Sequence, residues 1–219
     1  VAALAQAVLS SSPSRPLRVA VDGRTASGKT TLSNELAAAI QRLGQPVIRT
    51  SIDGFHRPKA ERYARGRYSA QGYYRDARDL DAIVDLLLKP LGPDGDRRYC
   101  TASFDLAADV PLPLDFTVAD PRAVLIVDGT FLQRPALRAW WDYVVFVDVD
   151  ELVAQSRGIA RDAVQMGDEQ LAARLFAERY RPAYRLYTQE VDPIAQADAV
   201  LGNQNFENPT LRFGELARP

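Results

Sequence analysis

The sequence predicts an α/β domain with a central, mostly parallel sheet, helices on both faces and a small hairpin insertion. Three observations predict it. Short apolar, β-branched runs recur and each stops at Asp-Gly: L-R-V-A-V before Asp22-Gly23, V-I-R-T-S-I before Asp53-Gly54 and A-V-L-I-V before Asp128-Gly129. Runs this short and this apolar suit strands covered on both faces. Helical patterns lie between them, giving the strand-helix-strand alternation of a parallel sheet. The turn after the first run, finally, carries glycines and a Lys-Thr pair where a strand must swing directly into a helix.

In order along the chain, Ala2 to Leu9 reads as a short helix, ended by a serine- and proline-rich linker from Ser10 to Pro16. Residues 1–16 thus precede the domain proper, which runs from Leu17 over 17–219. Thr30 to Leu43 carries Leu32, Leu36, Ile40 and Leu43 on one helical stripe, and Leu80 to Leu88 forms a second helix closed by Pro90. A fourth strand, Tyr143 to Val147, ends at Asp148. Asp168 to Tyr187 is a long arginine-rich helical stretch, and Ala199 to Leu201 has the character of a last strand. Between about 95 and 120, Pro111, Pro113 and short alternating runs break the pattern and mark the hairpin insertion.

Composition bounds the function classes. The chain has 219 residues, 47% hydrophobic and 25% charged, which fits one folded domain rather than a disordered or disulfide-dense chain. A net charge of -1 disfavours a protein that coats nucleic acid or an anionic membrane. Cys100 is the sole cysteine, so an internal disulfide and multi-cysteine metal cages are excluded. Val1 to Ser14 has no basic lead-in and too few apolar residues to span a bilayer, which makes a cytoplasmic protein the expectation. A homodimer is compatible with the sequence, though no residue argues for one.

Gly23-Arg24-Thr25-Ala26-Ser27-Gly28-Lys29-Thr30, followed by Thr31, satisfies G-x-x-x-x-G-K-[ST], the P-loop pattern. The glycines let successive backbone N–H groups turn toward a β-phosphate. Lys29 adds a point charge for the β and γ oxygens, and the Thr30 hydroxyl is a ligand for Mg²⁺. The chain holds only three lysines, so a chance match is expected in roughly one such chain per thousand. Residues 23–31 are therefore expected to bind ATP within a three-layer P-loop NTPase fold. In an open α/β sheet, ligands gather beyond the carboxyl ends of the strands, where Asp53 and Asp128 both fall. Two acids there can serve as the base for an acceptor hydroxyl and as a Mg²⁺ ligand, directly or through water. Each read alone is also an ordinary turn aspartate before glycine.

The segments D-G-R-T-A-S-G-K-T-T (Asp22 to Thr31), S-I-D-G-F-H (Ser51 to His56), V-L-I-V-D-G-T-F-L (Val124 to Leu132) and R-G-I-A-R-D (Arg157 to Asp162) resemble the uridine kinase and phosphoribulokinase-like group of P-loop kinases. Pantothenate kinase is a relative within that group. The resemblance runs from about Leu17 to Pro209. It implies that Asp53 is the catalytic base, that Arg157 and Arg161 belong to a lid at about 155–170, and that Asn203 to Pro209 forms the closing strand and the loop for the nucleotide base. It implies a small-molecule hydroxyl acceptor, uridine or cytidine first, pantothenate or a sugar-like acid second. The sequence departs from the group at Asp128-Gly129, where the uridine kinases usually have Glu-Gly, and at His56, where they usually have Tyr.

On the acceptor side, the basic loop Arg57 to Arg67 interleaved with Tyr63, Tyr68, Tyr73 and Tyr74 reads either as a mobile acceptor loop or as a solvated surface loop. His56 reads either as a substrate ligand or as a packed loop histidine. Asp76 and Asp79 fall where the resemblance places an acceptor-gripping acidic segment, and Tyr99 and Asp105 of the insertion are further candidates for the acceptor pocket. Two other classes compete. A regulatory GTPase is opposed by the lack of Asn-Lys-x-Asp and by Phe131 where D-x-x-G requires glycine. A non-catalytic ATP-binding module associated with RNA is left open by the basic, tyrosine-rich loop.

Overall fold

The computed structural model describes residues 1–11 and 13–214. Ser12 of the expected linker, and the end of the expected domain beyond Gly214, lie outside the described residues.

The chain opens with α1 (Ala2–Ser10), then β1 (Leu17–Gly23), α2 (Lys29–Arg42) and β2 (Val47–Ser51). A turn of 3-10 helix covers Ile52–Phe55 and leads into α3 (Lys59–Arg62). A π turn at Gly72–Asp76 precedes α4 (Leu80–Ile83), which runs into a second π turn at Val84–Leu88. The insertion holds β3 (Arg98–Tyr99), β4 (Phe104–Asp105), β5 (Val110–Pro111) and β6 (Thr117–Val118). The chain then returns through β7 (Val124–Gly129), α5 (Pro135–Arg138) and β8 (Tyr143–Asp148). It finishes with α6 (Glu151–Met166), α7 (Glu169–Leu175), a π turn at Phe176–Tyr180, α8 (Arg181–Glu190), β9 (Ala199–Gly202) and β10 (Thr210–Phe213).

The central sheet has six strands in the order β10-β9-β8-β1-β7-β2. All its pairings are parallel except β10 on β9. Alternate residues of β7 point to opposite cores. Leu125 and Val127 join Phe55, Leu87, Leu88 and Phe146 on one face, while Val124 and Ile126 join Leu36, Ile40 and Val145 on the other. Both faces are buried, so the strands read as unbroken apolar runs. From β1 the chain moves to β2 on one side, and from β7 it crosses β1 to reach β8 on the other. The carboxyl end of β1 is therefore the point where strand order reverses and a cleft opens.

The insertion is two nested ladders, β3 with β6 and β4 with β5, matching the expected hairpin region. Two other expectations are corrected. Ala199 to Leu201 is not the last strand, and Asn203 to Pro209 contains no strand. The closing strand is β10, a mostly exposed edge strand whose Thr-Leu-Arg-Phe pattern carries no apolar run to betray it. The stretch from Asp168 to Tyr187 is helical as expected, with a π turn between α7 and α8. Pro182 sits in the first turn of α8, where its missing N–H is tolerated. The segment from Leu80 to Leu88 similarly changes from α to π at Val84.

The N-terminal helix packs Leu4, Ala5 and Val8 into the same core as Leu36 and Ile40 of α2. Because Leu4 is fully buried, Leu4→Ala should lower stability by about 2–5 kcal/mol, measured by urea unfolding. An unchanged midpoint would show that α1 adds nothing to the fold.

Candidate active site

The turn between β1 and α2 adopts a conformation that glycine makes accessible. Gly23 has φ +151° and Gly28 φ +97°, and a Cβ at Gly23 would lie 2.6 Å from the Val147 carbonyl oxygen. Gly28 is the N-cap of α2, so the helix's positive end faces the turn. Behind the turn, fully buried Asp22 accepts a hydrogen bond from the Gly23 N–H at 2.7 Å, another from Gln133 Nε2 at 3.2 Å and a third from the Tyr187 hydroxyl. In front, Asn203 Nδ2 donates to the Ser27 carbonyl at 2.8 Å. Lys29 Nζ donates to the Arg24 carbonyl at 2.7 Å and lies inside the cleft. Burial pushes its pKa down, against the pull of Asp22, Tyr73, Asp128 and Asp53, which favour the ammonium.

Two cavities meet at this turn. One, of about 600 Å³, runs from Gly28, Thr31 and Lys29 to Arg157 and Phe206. The other, of about 280 Å³, runs from Thr25 and Lys29 past Asp53 to His56, Tyr73 and Arg179. Ala26, Lys29, Thr30 and Arg161 line both. The expected P-loop residues divide accordingly. Thr25, Ala26, Lys29 and Thr30 face the smaller cavity; Gly28 and Thr31 face the larger; Gly23 and Ser27 are buried within the turn. Arg24 turns toward the far helices, its guanidinium 4.3 Å from the Tyr184 ring centroid and 3.7 Å from Glu151.

At the strand tips, Thr30 Oγ1 donates to Asp128 Oδ2 at 2.7 Å, while Arg49 of β2 grips the other carboxylate oxygen at 2.6 Å. Thr30 and Asp128 thus present paired hard oxygens beside the phosphate cradle, a donor set that fits Mg²⁺ sharing its remaining positions with phosphate and water. Among the described residues there is no group of three or more His, Cys, Asp or Glu that could hold a metal ion. Asp53 opens into the smaller cavity and its Oδ1 accepts from Arg78 at 2.7 Å. Desolvation resists its ionisation, but Arg78, His56 and Lys29 outweigh that and hold the carboxyl below the usual aspartate range.

His56 is buried, with Nδ1 2.9 Å from the Asp53 carbonyl oxygen. Burial, reinforced by the charge of Arg78, pushes its pKa down to about 4, so the ring is neutral near pH 7. Tyr73 lines the same cavity, its ring 5.1 Å from that of Tyr180. Four candidates are not brought to either cavity. Asp76 pairs with Arg65 at 2.8 Å, Asp79 caps α4 by accepting from the Ala82 N–H at 3.0 Å, Asp105 accepts from the Ala107 and Ala108 N–H groups, and Tyr99 is packed in the core. The lid arginines separate. Arg161 stands at the junction of the cavities beside Asp162, whereas Arg157 donates to the Asn203 and Gln204 carbonyls and stacks 3.7 Å over Phe206.

Sequence reasoning missed Arg49, Arg78 and Arg179. Arg49 and Arg78 each hold one of the two key aspartates, and Arg179 is a buried guanidinium in the smaller cavity. The available signals were faint: a charged residue inside the apolar run of β2, and an arginine between Phe176 and Tyr180.

The family model described as phosphoribulokinase / uridine kinase family matches residues 19–204. The uridine kinase of Lactiplantibacillus plantarum is 30% identical over 161 residues, 70% of this chain and 71% of that protein. That of Leuconostoc citreum is 24% identical over 198 residues, 89% of this chain and 90% of the relative. The structure of a possible uridine kinase from Bacillus stearothermophilus aligns with a TM-score of 0.69 at 25% identity, covering 90% of this chain and 94% of that one. With its P-loop, its paired strand-tip aspartates and a family match along most of its length, the chain belongs to the phosphoribulokinase / uridine kinase family.

Proposed function

We propose that this chain transfers the γ-phosphoryl group of ATP to a hydroxyl of a small acceptor, with Asp53 as the base. The observation that carries the reading is the junction at Lys29, Thr30 and Arg161, where a cavity suited to the nucleotide meets a cavity holding a carboxylate. The larger cavity takes ATP, with the backbone of residues 23–28 around the phosphates and Phe206 and Arg157 at its outer end. Thr30 and Asp128 are the residues that would hold Mg²⁺, which would neutralise charge on the nucleotide's phosphates.

The acceptor hydroxyl lies at Asp53 in the smaller cavity. Its oxygen forms a bond to the γ-phosphorus as the bond to the bridging oxygen of ADP breaks, and its proton passes to Asp53. A carboxylate of low basicity suits a loose transition state, in which the proton moves late. Arg78 holds that carboxylate ionised and aimed. Arg161 and Lys29 offset the charge spread over the migrating phosphoryl oxygens.

The names of the relatives support a nucleoside acceptor, and Tyr63, Tyr73 and Tyr180 offer faces for a base. A sugar-like acid is the second reading, favoured by the buried arginines of the same cavity. Both are tested by acceptor-dependent ADP production over a panel of nucleosides, pantothenate and sugar acids. If ATP binds and none stimulates turnover, the kinase reading fails.

Asp53→Asn should reduce kcat by about 10²-fold or more with ATP affinity unchanged, and unaltered turnover would remove Asp53 from the role of base. His56 should titrate in the folded protein with a midpoint near 4, read from its ring proton resonances. Since the unfolded chain takes up that proton near the ordinary value of 6.5, His56 favours folding above pH 6.5. That contribution is lost as pH falls from 6.5 to about 4. His56→Gln should flatten this limb of a stability-versus-pH curve.

A further inference from the structure

One wall of the smaller cavity is built around two guanidinium groups. Arg62 and Arg179 are 6% and 7% exposed, both line the cavity, and both have a buried Nε without a hydrogen-bond partner. Arg62 has one carboxylate, Asp109, at 3.0 Å on the solvent side. Arg179 pairs with no carboxylate among the described residues. It is surrounded instead by rings, 4.7 Å from the centroid of Tyr73 and 5.1 Å from that of Tyr63, and Arg62 lies over the same Tyr63 ring at 5.3 Å. Aromatic faces recover only part of what a buried guanidinium loses in leaving water, so such a group is arranged to meet an anion.

The contacts also set the distance from the reacting centre. Asp53 is held by Arg78, Arg78 lies over Tyr73, and Arg179 lies over Tyr73 as well. The guanidinium of Arg179 is thus linked through Tyr73 and Arg78 to the carboxylate proposed to receive the proton. Asp76, an acid suited to neutral sugar hydroxyls, is turned outward onto Arg65.

We infer that Arg179 and Arg62, framing Tyr63, form an anion subsite for a carboxylate or phosphate carried by the acceptor itself, so that the substrate is a small hydroxylated anion rather than a neutral nucleoside. This rests on the kinase reading above. The guanidinium of Arg179 holds the anionic end, and a hydroxyl a few bonds away is left facing Asp53.

The test compares matched neutral and anionic acceptors on the full chain: D-glucose with D-gluconate for a carboxylate, D-ribose with D-ribose 5-phosphate for a phosphate, and uridine and cytidine as the neutral nucleosides. At least one anion should exceed its neutral partner in kcat/KM by about 100-fold. Arg179→Gln should raise KM for that anion by about tenfold or more with kcat within about threefold, and Arg179→Lys should recover part of the loss. Turnover of uridine or cytidine at a kcat/KM equal to that of every anion overturns the subsite and leaves the kinase reading standing. So does an equal effect of Arg179→Gln on neutral and anionic acceptors, since that marks a structural role. If no acceptor turns over, calorimetry with D-gluconate and with inorganic phosphate, on protein saturated with Mg²⁺ and a non-hydrolysable ATP analogue, decides. Saturable binding that Arg179→Gln abolishes supports the subsite while the kinase reading fails, and no binding overturns it.

Discussion

The buried carboxylate of Asp22 is the constraint on which the site depends. It lies at the end of the central strand, behind the phosphate-binding turn, and ties the first N–H of that turn to Gln133 and to Tyr187 of α8. Burial makes these bonds obligatory, because an unpaired carboxylate there would be far costlier than the ordering of three neighbours. Burial and the neighbouring Asp22 charge push the Tyr187 hydroxyl's pKa well up, so it remains a donor at any physiological pH. From the opposite side Asn203 clamps Ser27. Segments far apart in sequence thus converge on one turn, and the shape of the turn does not have to be created when phosphate arrives.

The same logic orders the two aspartates at neighbouring strand tips. Asp128 and Asp53 each carry an arginine, Arg49 and Arg78, on one carboxylate oxygen. The second oxygen of Asp128 accepts from Thr30. Arg78 helps to hold the Asp53 carboxyl below the usual aspartate range.

Much of this was legible in the chain itself. The apolar runs, the stripe of α2 and the P-loop pattern identify the sheet, its active edge and the phosphate cradle, because buried parallel strands and a glycine-dependent turn leave local signatures. β10 was not legible, since an exposed edge strand is chosen by pairing with β9 rather than by its own apolar pattern. The π turns beginning at Val84 and Phe176 left no local signal, because each widens a turn inside an otherwise continuous helix. Among site residues, Asp53, Lys29 and Thr30 stand at positions that a strand end or a motif picks out. Asp76 and Asp79 look equivalent to Asp53 in sequence, yet one meets a surface arginine and the other a helix N-terminus, contacts that only the tertiary arrangement supplies.

Charge shows the same division between global and local. A net charge of -1 says nothing of anion binding, and over the whole surface it is accurate. Within the smaller cavity the balance is different: Arg62 pairs with Asp109 and Arg161 with buried Asp162, while Arg179 pairs with no carboxylate among the described residues and lies against the rings of Tyr63 and Tyr73. In the proposed reaction the P-loop amides, Lys29 and the Thr30–Asp128 pair meet the nucleotide's phosphates, which leaves Arg179, in the cavity that also holds Asp53, as the cation proposed for the acceptor.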